Sequence, residues 1–330
     1  MDFTFLKEYQ IRGDDSLEVM KRYGTKVAPT DLTVILGGYM TDGDGRTSEG
    51  DLTCASWSAS SYAYDRVRCV YCGGGQDWYD TTSRGVSARP ALPPSEASKI
   101  SPSEARAIDG IRVAEYGEYP QTVADERTSE RLERLHSSRS LRPTGKNYTF
   151  DSVGLTDYDT AFKATSFSEY EMDGKRYIRV PGRPADDDSK LSTGKQVEAG
   201  KPYWVEVQPI EWLMDRSGTM VAKKCLFAGI QFDTKDSYND IFSLTFMKHY
   251  LDTYFAKEIE PTERTASRET IKNNENSEES TISKISLLRT IAASNISKEK
   301  VNPKMSDDKK IKRINETINI LQGMKKDITD

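Results

Sequence analysis

Histidine is scarce in this chain, with only His136 and His249 among 330 residues. Both fall in segments with amphipathic helical spacing, and no nucleophile motif accompanies either, so a Ser-His-Asp site has no support. Cysteine is nearly as scarce: Cys54, Cys69, Cys72 and Cys225. Cys69-Val-Tyr-Cys72 has C-x-x-C spacing, but a second ligand pair is missing and no helix opens there after a strand. Zinc and thiol redox chemistry are therefore not expected; the four thiols are read as reduced, with Cys69 and Cys72 at exposed positions. Gly37-Gly38 and Gly73-Gly74-Gly75 match neither the P-loop nor the dinucleotide fingerprint. Asp42-Gly-Asp44 and Asp186-Asp-Asp188 lack the full ligand ladder of a calcium loop. The expectation is a protein with no catalytic residues, no metal and no cofactor.

Long apolar runs are also missing. No stretch approaches the roughly 18 residues that would suggest a membrane span, and runs such as Leu32 to Leu36 have the length of core elements. The opening MDFTFLKEYQIRGDD has no apolar h-region and carries acids early, which does not fit a signal peptide. Net charge is -5 with both signs interspersed. No basic stripe marks a nucleic-acid partner. Apolar residues make up 36% and charged residues 30%, a mix that fits a modest core with a large solvated portion. These features imply a non-secreted protein, cytoplasmic or part of a phage virion, with no nucleic-acid or membrane partner.

What is present begins with a helix capped by Ser16, with Leu17, Met20 and Tyr23 near one face and Gly24 as its stop. Residues 93–110 read as a Ser-, Pro- and Ala-rich linker. Ile111 to Ala114 reads as a strand and Tyr116 to Pro120 as a turn out of it. Thr128 to Ser140 is predicted helical, with Leu132 and Leu135 inward. Phe167 to Val180 is a hairpin about Asp173-Gly174, a pair that favours a type I′ turn. Tyr203 to Leu213 alternates as a strand, and Ser217-Gly218 turns it. Leu244 to Lys257 is an amphipathic helix with Phe246, Tyr250, Tyr254, Leu251 and Phe255 on a wide face. Beyond residue 260 the composition turns to Thr, Ser, Glu, Asn and Lys, which predicts a disordered linker and a helical tail. In that tail Ile311, Ile314, Ile318 and Leu321 form a short heptad seam suited to docking or self-association, or a frayed amphipathic end.

Residues 54–84 are unlike the rest. Ser, Tyr, Gly, Asp and Trp dominate, with Trp57, Tyr62, Tyr64, Tyr71, Trp78 and Tyr79 as rings and Val67 and Val70 almost the only larger aliphatics. This is the residue mix of paratopes: Tyr and Trp give stiff contact area, and Ser, Gly and Asp adapt their hydrogen bonds. Arg66, Arg68 and Arg84 add bidentate and stacking capacity. The competing reading is an aromatic strand region packed on its own domain.

The stretch from Cys54-Ala-Ser-Trp57 to Val86-Ser-Ala-Arg-Pro-Ala-Leu92 resembles the variable regions of proteins targeted by diversity-generating retroelements. The resemblance implies a C-type-lectin-like module of the formylglycine-generating-enzyme type, whose variable positions form a ligand-binding face. Tyr116-Gly-Glu-Tyr-Pro-Gln121, Tyr203-Trp-Val-Glu-Val-Gln-Pro-Ile-Glu-Trp212 and Leu226-Phe-Ala-Gly-Ile-Gln-Phe232 are similar to a second family, found in gut Firmicutes and their phages and allied to the same fold. There the G-E-Y-P-Q strand comes first and the R-P-A-L strand last. Here the order is reversed, so residues 1–95 and 111–259 are either one permuted module or two related units, joined by 96–110 and followed by the 260–330 tail.

The expected fold is α+β, with short antiparallel strands, long loops and a few helices. The expected function is non-catalytic binding of a protein ligand. Its surface would be built by Ser56, Ser58, Ser60, Ser61, Tyr62, Tyr64, Asp65, Arg66, Arg68, Tyr71, Gln76, Asp77, Trp78 and Tyr79, with Trp57 anchoring the core beneath. A structural or assembly protein of a phage or bacterial complex is the alternative. A divergent formylglycine-generating-type enzyme would instead need Cys69 or Cys72 in a cleft with a lowered pKa.

Overall fold

Two very short helices lead the chain, α1 (Glu8–Ile11) and α2 (Glu18–Tyr23). α2 buries Met20 and Tyr23 and ends at Gly24, as the spacing predicts. Ser16 does not cap it; its hydroxyl donates to the Gly13 carbonyl at 2.8 Å, and Leu17 holds the cap position. The run after Thr30 forms a helix, α3 (Asp31–Ile35), because the Thr30 hydroxyl accepts from the Thr33 N–H. The computed structural model describes residues 1–260 apart from 41–45, 64, 102, 104–105, 109, 156, 158–159, 188 and 234–240. The heptad positions Ile311, Ile314, Ile318 and Leu321 lie outside the described residues.

Three strands follow, β1 (Ser56–Ala63), β2 (Arg66–Val70) and β3 (Gln76–Asp80), paired antiparallel in that order. After β4 (Ala91–Leu92) and α4 (Pro94–Ala97) come β5 (Arg106–Ile108) and β6 (Ile111–Val123). The helix α5 (Glu126–Ser137) starts on an Asp125 side-chain cap and buries Leu132. Next come β7 (Pro143–Asp151), β8 (Ala164–Met172), β9 (Lys175–Pro181), β10 (Pro202–Met214) and β11 (Met220–Ala222). The strands β4 to β11 form a second, eight-stranded sheet, all of it antiparallel. Strand β10 is its spine: β6 runs along one side, and β9 and β11 share the other.

The architecture is α+β, and mostly antiparallel sheet. The strands are not all short, since β6 and β10 have 13 residues each. Nor is Tyr116 to Pro120 a turn; it lies within β6. Gly117 adopts φ +70°, and a bulge opposite Pro209 to Glu211 absorbs the irregularity, so pairing with β10 continues. A side chain at Gly117 would meet the Ile259 carbonyl at 2.9 Å, so only glycine lets the last helical turn lie this close. The β8–β9 hairpin turns at Asp173-Gly174 with φ +54° and +77°, in keeping with its sequence.

The helix predicted over Leu244 to Lys257 arrives in pieces. A 3-10 turn (Phe242–Leu244), α6 (Phe246–Tyr250), a π turn (Leu251–Phe255) and α7 (Ala256–Glu258) follow one another. Its rings still face inward, with Tyr250 and Phe255 wholly buried.

Residues from both sides of the 96–110 stretch meet in one core. Trp57, Phe3 and Phe5 pack in the same cluster as Tyr119, Trp212, Phe227, Phe232 and Phe255. The Arg89-Pro-Ala-Leu92 stretch joins the large sheet through Ala91 and Leu92, which pair with Val221 and Met220 of β11. The described residues fall in one compact unit, Met1–Pro261. Among them no helix is long and apolar enough to cross a membrane.

Candidate ligand-binding surface

The three-stranded sheet changes character along its length. The first half of β1 is enclosed: β2 lies on one side, and on the other the Trp57 N–H donates to Ser87 O at 3.0 Å and the Ala59 N–H to Leu6 O at 3.0 Å. Register shifts on either side of Ser61 then turn the strand outward. Burial follows, with Ser56, Trp57, Ser58 and Ala59 buried, Ser60 and Ser61 half-buried, and Tyr62 exposed.

The strand β2 alternates more simply. Val67 and Cys69 point inward, while Arg66 and Arg68 stand outward and half-buried. On β3, Asp77 and Tyr79 are half-buried while Gln76, Trp78 and Asp80 are exposed. Tyr79 stacks inside on Tyr39, ring centres 5.5 Å apart. A Cβ at Gly85 would lie 2.2 Å from that Tyr39 ring, so Gly85 makes room for the pair.

The outer face carries a linked stack of rings and cations. Tyr62 and Trp78 lie 5.5 Å apart and only 9° from parallel. The Arg66 guanidinium carbon sits 3.8 Å from the Trp78 ring centre, and that of Arg68 sits 5.2 Å from Tyr62. Arg66 Nε reaches Asp80 at 3.3 Å and Asp65 at 3.8 Å. Arg68 Nε reaches Glu8 at 2.8 Å and the Ser61 carbonyl at 3.3 Å. Glu8 also accepts from Gln76, and its own N–H donates to Ser60 Oγ at 2.9 Å. Each exposed cation–ring contact contributes only about 0.5–1 kcal/mol, and each surface ion pair about 0–1 kcal/mol. Together they fix rotamers before any partner arrives, which lowers the ordering cost of binding.

Of the large apolar side chains exposed among the described residues, Tyr62 (48%), Tyr71 in the β2–β3 turn (44%) and Trp78 (37%) stand on this sheet and Tyr9 (59%) follows Glu8 on α1, while Ile241 (45%) and Leu244 (72%) lie in the segment leading into α6. Tyr9 was not legible as a surface residue, because α1 meets the sheet through contacts more than 50 positions away in sequence.

Several expectations need correction. Ser56 and Ser58 are buried, and Ser58 Oγ donates to the Arg68 carbonyl at 3.0 Å, so neither belongs to the surface. Arg84 is fully buried, pairs with Asp151 at 3.4 Å and donates to the Thr160 carbonyl at 2.7 Å; it holds a loop in place. Cys69 and Cys72 are buried rather than exposed, as are Cys54 and Cys225. Ser60, Ser61, Tyr62, Asp65, Arg66, Arg68, Tyr71, Gln76 and Trp78 do gather on this small sheet, half-buried or exposed, whereas Asp77 and Tyr79, though half-buried, share the inward face of Cys69 and Val67. Tyr64 lies outside the described residues. Trp57 packs against Phe232 at 5.2 Å, in the anchoring place expected of it.

The thiols are poorly placed for nucleophilic work. Burial pushes Cys72 up to about 12 and Cys69 higher still, with Asp77 adding to the rise at Cys69. Among the described residues, no three His, Cys, Asp or Glu side chains gather to hold a metal. A polar cleft of 220 Å³ lies away from the aromatic face, lined by residues that include Asp31, Gln121, Gln208 and Lys223.

Compared with known protein families, curated proteins and solved structures, the chain matches none.

Proposed function

We propose that this protein is a non-catalytic binding protein and that the outer face of β1–β3 is its contact surface. The observation that carries this reading is the pre-ordered stack of Tyr62, Trp78, Arg66 and Arg68 on an exposed, shallow sheet. Aromatic and arginine side chains dominate the energetics of protein interfaces. Held rigid, such a surface loses little entropy on binding. A catalytic role for Cys69 or Cys72 is disfavoured by the same burial that raises both thiols.

The finer reading is that residues 54–92 form the variable region of a diversity-generating retroelement target on a C-type-lectin-like module. The division of labour along β1–β3 supports it. Inward residues such as Trp57, Val67 and Cys69 are buried, and the outward residues alternate with them. Outward changes on such a scaffold usually stay within about 0.5 kcal/mol of neutral.

Sequencing codons 50–95 across a natural population tests this. Substitutions should concentrate at Tyr62, Arg66, Arg68, Tyr71, Gln76 and Trp78, trace to adenines of a template repeat, and spare Ser56, Trp57, Ser58 and Val67. An invariant segment, or changes spread evenly over buried and exposed codons, would overturn diversification.

A further inference from the structure

Strand β3 is paired on one side only. Its partner is β2, and among the described residues no other strand adjoins it. The ladder fixes which backbone groups are left over. The Tyr71 N–H donates to Gly75 O at 2.8 Å and the Thr81 N–H to Asp65 O at 2.9 Å. In an antiparallel ladder bonded and non-bonded pairs alternate, so Cys69–Asp77 and Val67–Tyr79 are bonded pairs. The N–H and C=O groups of Gln76 and Trp78 and the N–H of Asp80 therefore point away from β2, into the open edge, while the Asp80 carbonyl accepts from the Ser83 N–H at 2.9 Å. Consistent with this, the Trp78 N–H finds only the neighbouring Asp77 carboxylate, at 2.9 Å.

An open edge is a template for another strand. Five residues with charges among them can also be a blunted edge and nothing more. Two features favour use. The edge residues with outward backbone groups are the exposed ones, and Trp78 of the aromatic stack is the middle one. Charge is also unbalanced here: Glu8, Asp65, Asp77 and Asp80 outnumber Arg66, Arg68 and Lys26, which packs on Gly74 of the β2–β3 turn, and both arginines are already ion-paired.

We propose that the free edge of β3 takes an extended, basic segment of another protein as a fourth strand. The proposal rests on the reading that this sheet is a protein-binding surface, and it specifies how the partner is held. Main-chain hydrogen bonds to Gln76, Trp78 and the Asp80 N–H supply affinity, and alternate side chains of the added strand supply specificity. One set of those side chains lies beside the Trp78 ring and opposite Asp80, where lysine or arginine finds the surplus carboxylates. Asp77, whose side chain belongs to the other face of the strand, is displaced from the Trp78 N–H by the incoming backbone.

The test pans the whole protein against a random library of 12-residue peptides displayed on phage. Gln76→Pro removes an outward N–H without touching the bonds to β2, and Gln76→Ala removes the side chain but keeps the N–H. Enriched peptides should alternate in side-chain class and carry Lys or Arg. They should bind Gln76→Pro at least tenfold more weakly than Gln76→Ala, which shares the loss of the side chain but keeps the N–H, with the circular dichroism of both variants unchanged. Peptides lost on Trp78→Ala but indifferent to Gln76→Pro would sink the edge proposal and leave the face as a binding surface. Enrichment of acidic peptides would refute the charge argument and with it the proposal. No enrichment, or indifference to both substitutions, would sink this inference and the binding-face reading together.

Discussion

Glu258 ties the final helical turn to the large sheet and makes stability depend on pH. One carboxylate oxygen accepts from the Thr149 N–H of β7 at 2.7 Å, while the other is buried with no partner. Burial raises the carboxyl from 4.5 to about 7, and the Thr149 bond and the Lys146 charge offset only part of the rise. Buried Tyr119 and Tyr250 also face it, and their burial pushes both hydroxyls well above their ordinary value. A folded state that binds the proton more tightly is favoured by acid. The stabilisation is fully present below the unfolded value and is lost as pH rises from 4.5 through about 7. At about 1.4 kcal/mol per pH unit, a shift from 4.5 to about 7 amounts to about 3 kcal/mol. Glu258→Gln keeps the acceptor and cannot ionise. Urea unfolding of both proteins, at steps from about pH 4 to about pH 8, should show the variant gaining about 3 kcal/mol on the parent across that range. Carboxylates whose values are lowered elsewhere, such as Glu133 beside Arg179, cancel in the difference. A gap between the two proteins that stays constant with pH, or one that closes as pH rises, would refute the reasoning.

Two further outcomes follow from burial and close packing. None of the four thiols should react with an aromatic disulfide reagent at neutral pH until urea is added, when all four should; fast release from Cys72 in the native protein would contradict its burial. Gly85→Ala should cost about 1–3 kcal/mol by forcing Tyr39 off Tyr79, seen as a lower melting temperature and a weaker near-ultraviolet aromatic signal, because the new methyl would lie 2.2 Å from the ring.

What was legible in the sequence is what short-range chemistry decides. The Asp173-Gly174 hairpin needs two residues with positive φ, and the residue pair announces them. The helix expected over Thr128 to Ser140 forms over Glu126–Ser137 with its inward Leu132, though the Asp125 cap that sets its start was not read. The apolar run after Thr30 could not be assigned by periodicity, since a five-residue run fits strand or helix, and the Thr30 cap settled it. Long-range pairing was hidden. Nothing near Tyr116 to Pro120 says that β10, some 90 positions onward, will hold the chain extended there. The burial of Ser56 and Ser58 likewise depends on Ser87 and Leu6, and that of Arg84 on Asp151.

The same distinction explains why the aromatic segment could be recognised as a surface while its membership was misjudged. Composition reports how many rings and small polar residues a segment has, but not which of them face inward. That choice is made by the two irregularities in β1, which carry the strand from an enclosure on both edges at Ser56 to open solvent at Tyr62. Beyond that point the fold asks little of the outward side chains. The stack of Tyr62, Trp78, Arg66 and Arg68 rests on β2, paired with β1 on one side and β3 on the other, and is clamped from α1 by Glu8. Its members contribute exposed contacts of about 1 kcal/mol or less each, so exchanging them alters what the face can bind far more than whether the sheet forms. Stability is held by the inward set, led by Trp57 on Phe232 and Tyr79 on Tyr39, and that separation is the physical requirement for a surface that can change its partner without losing its fold.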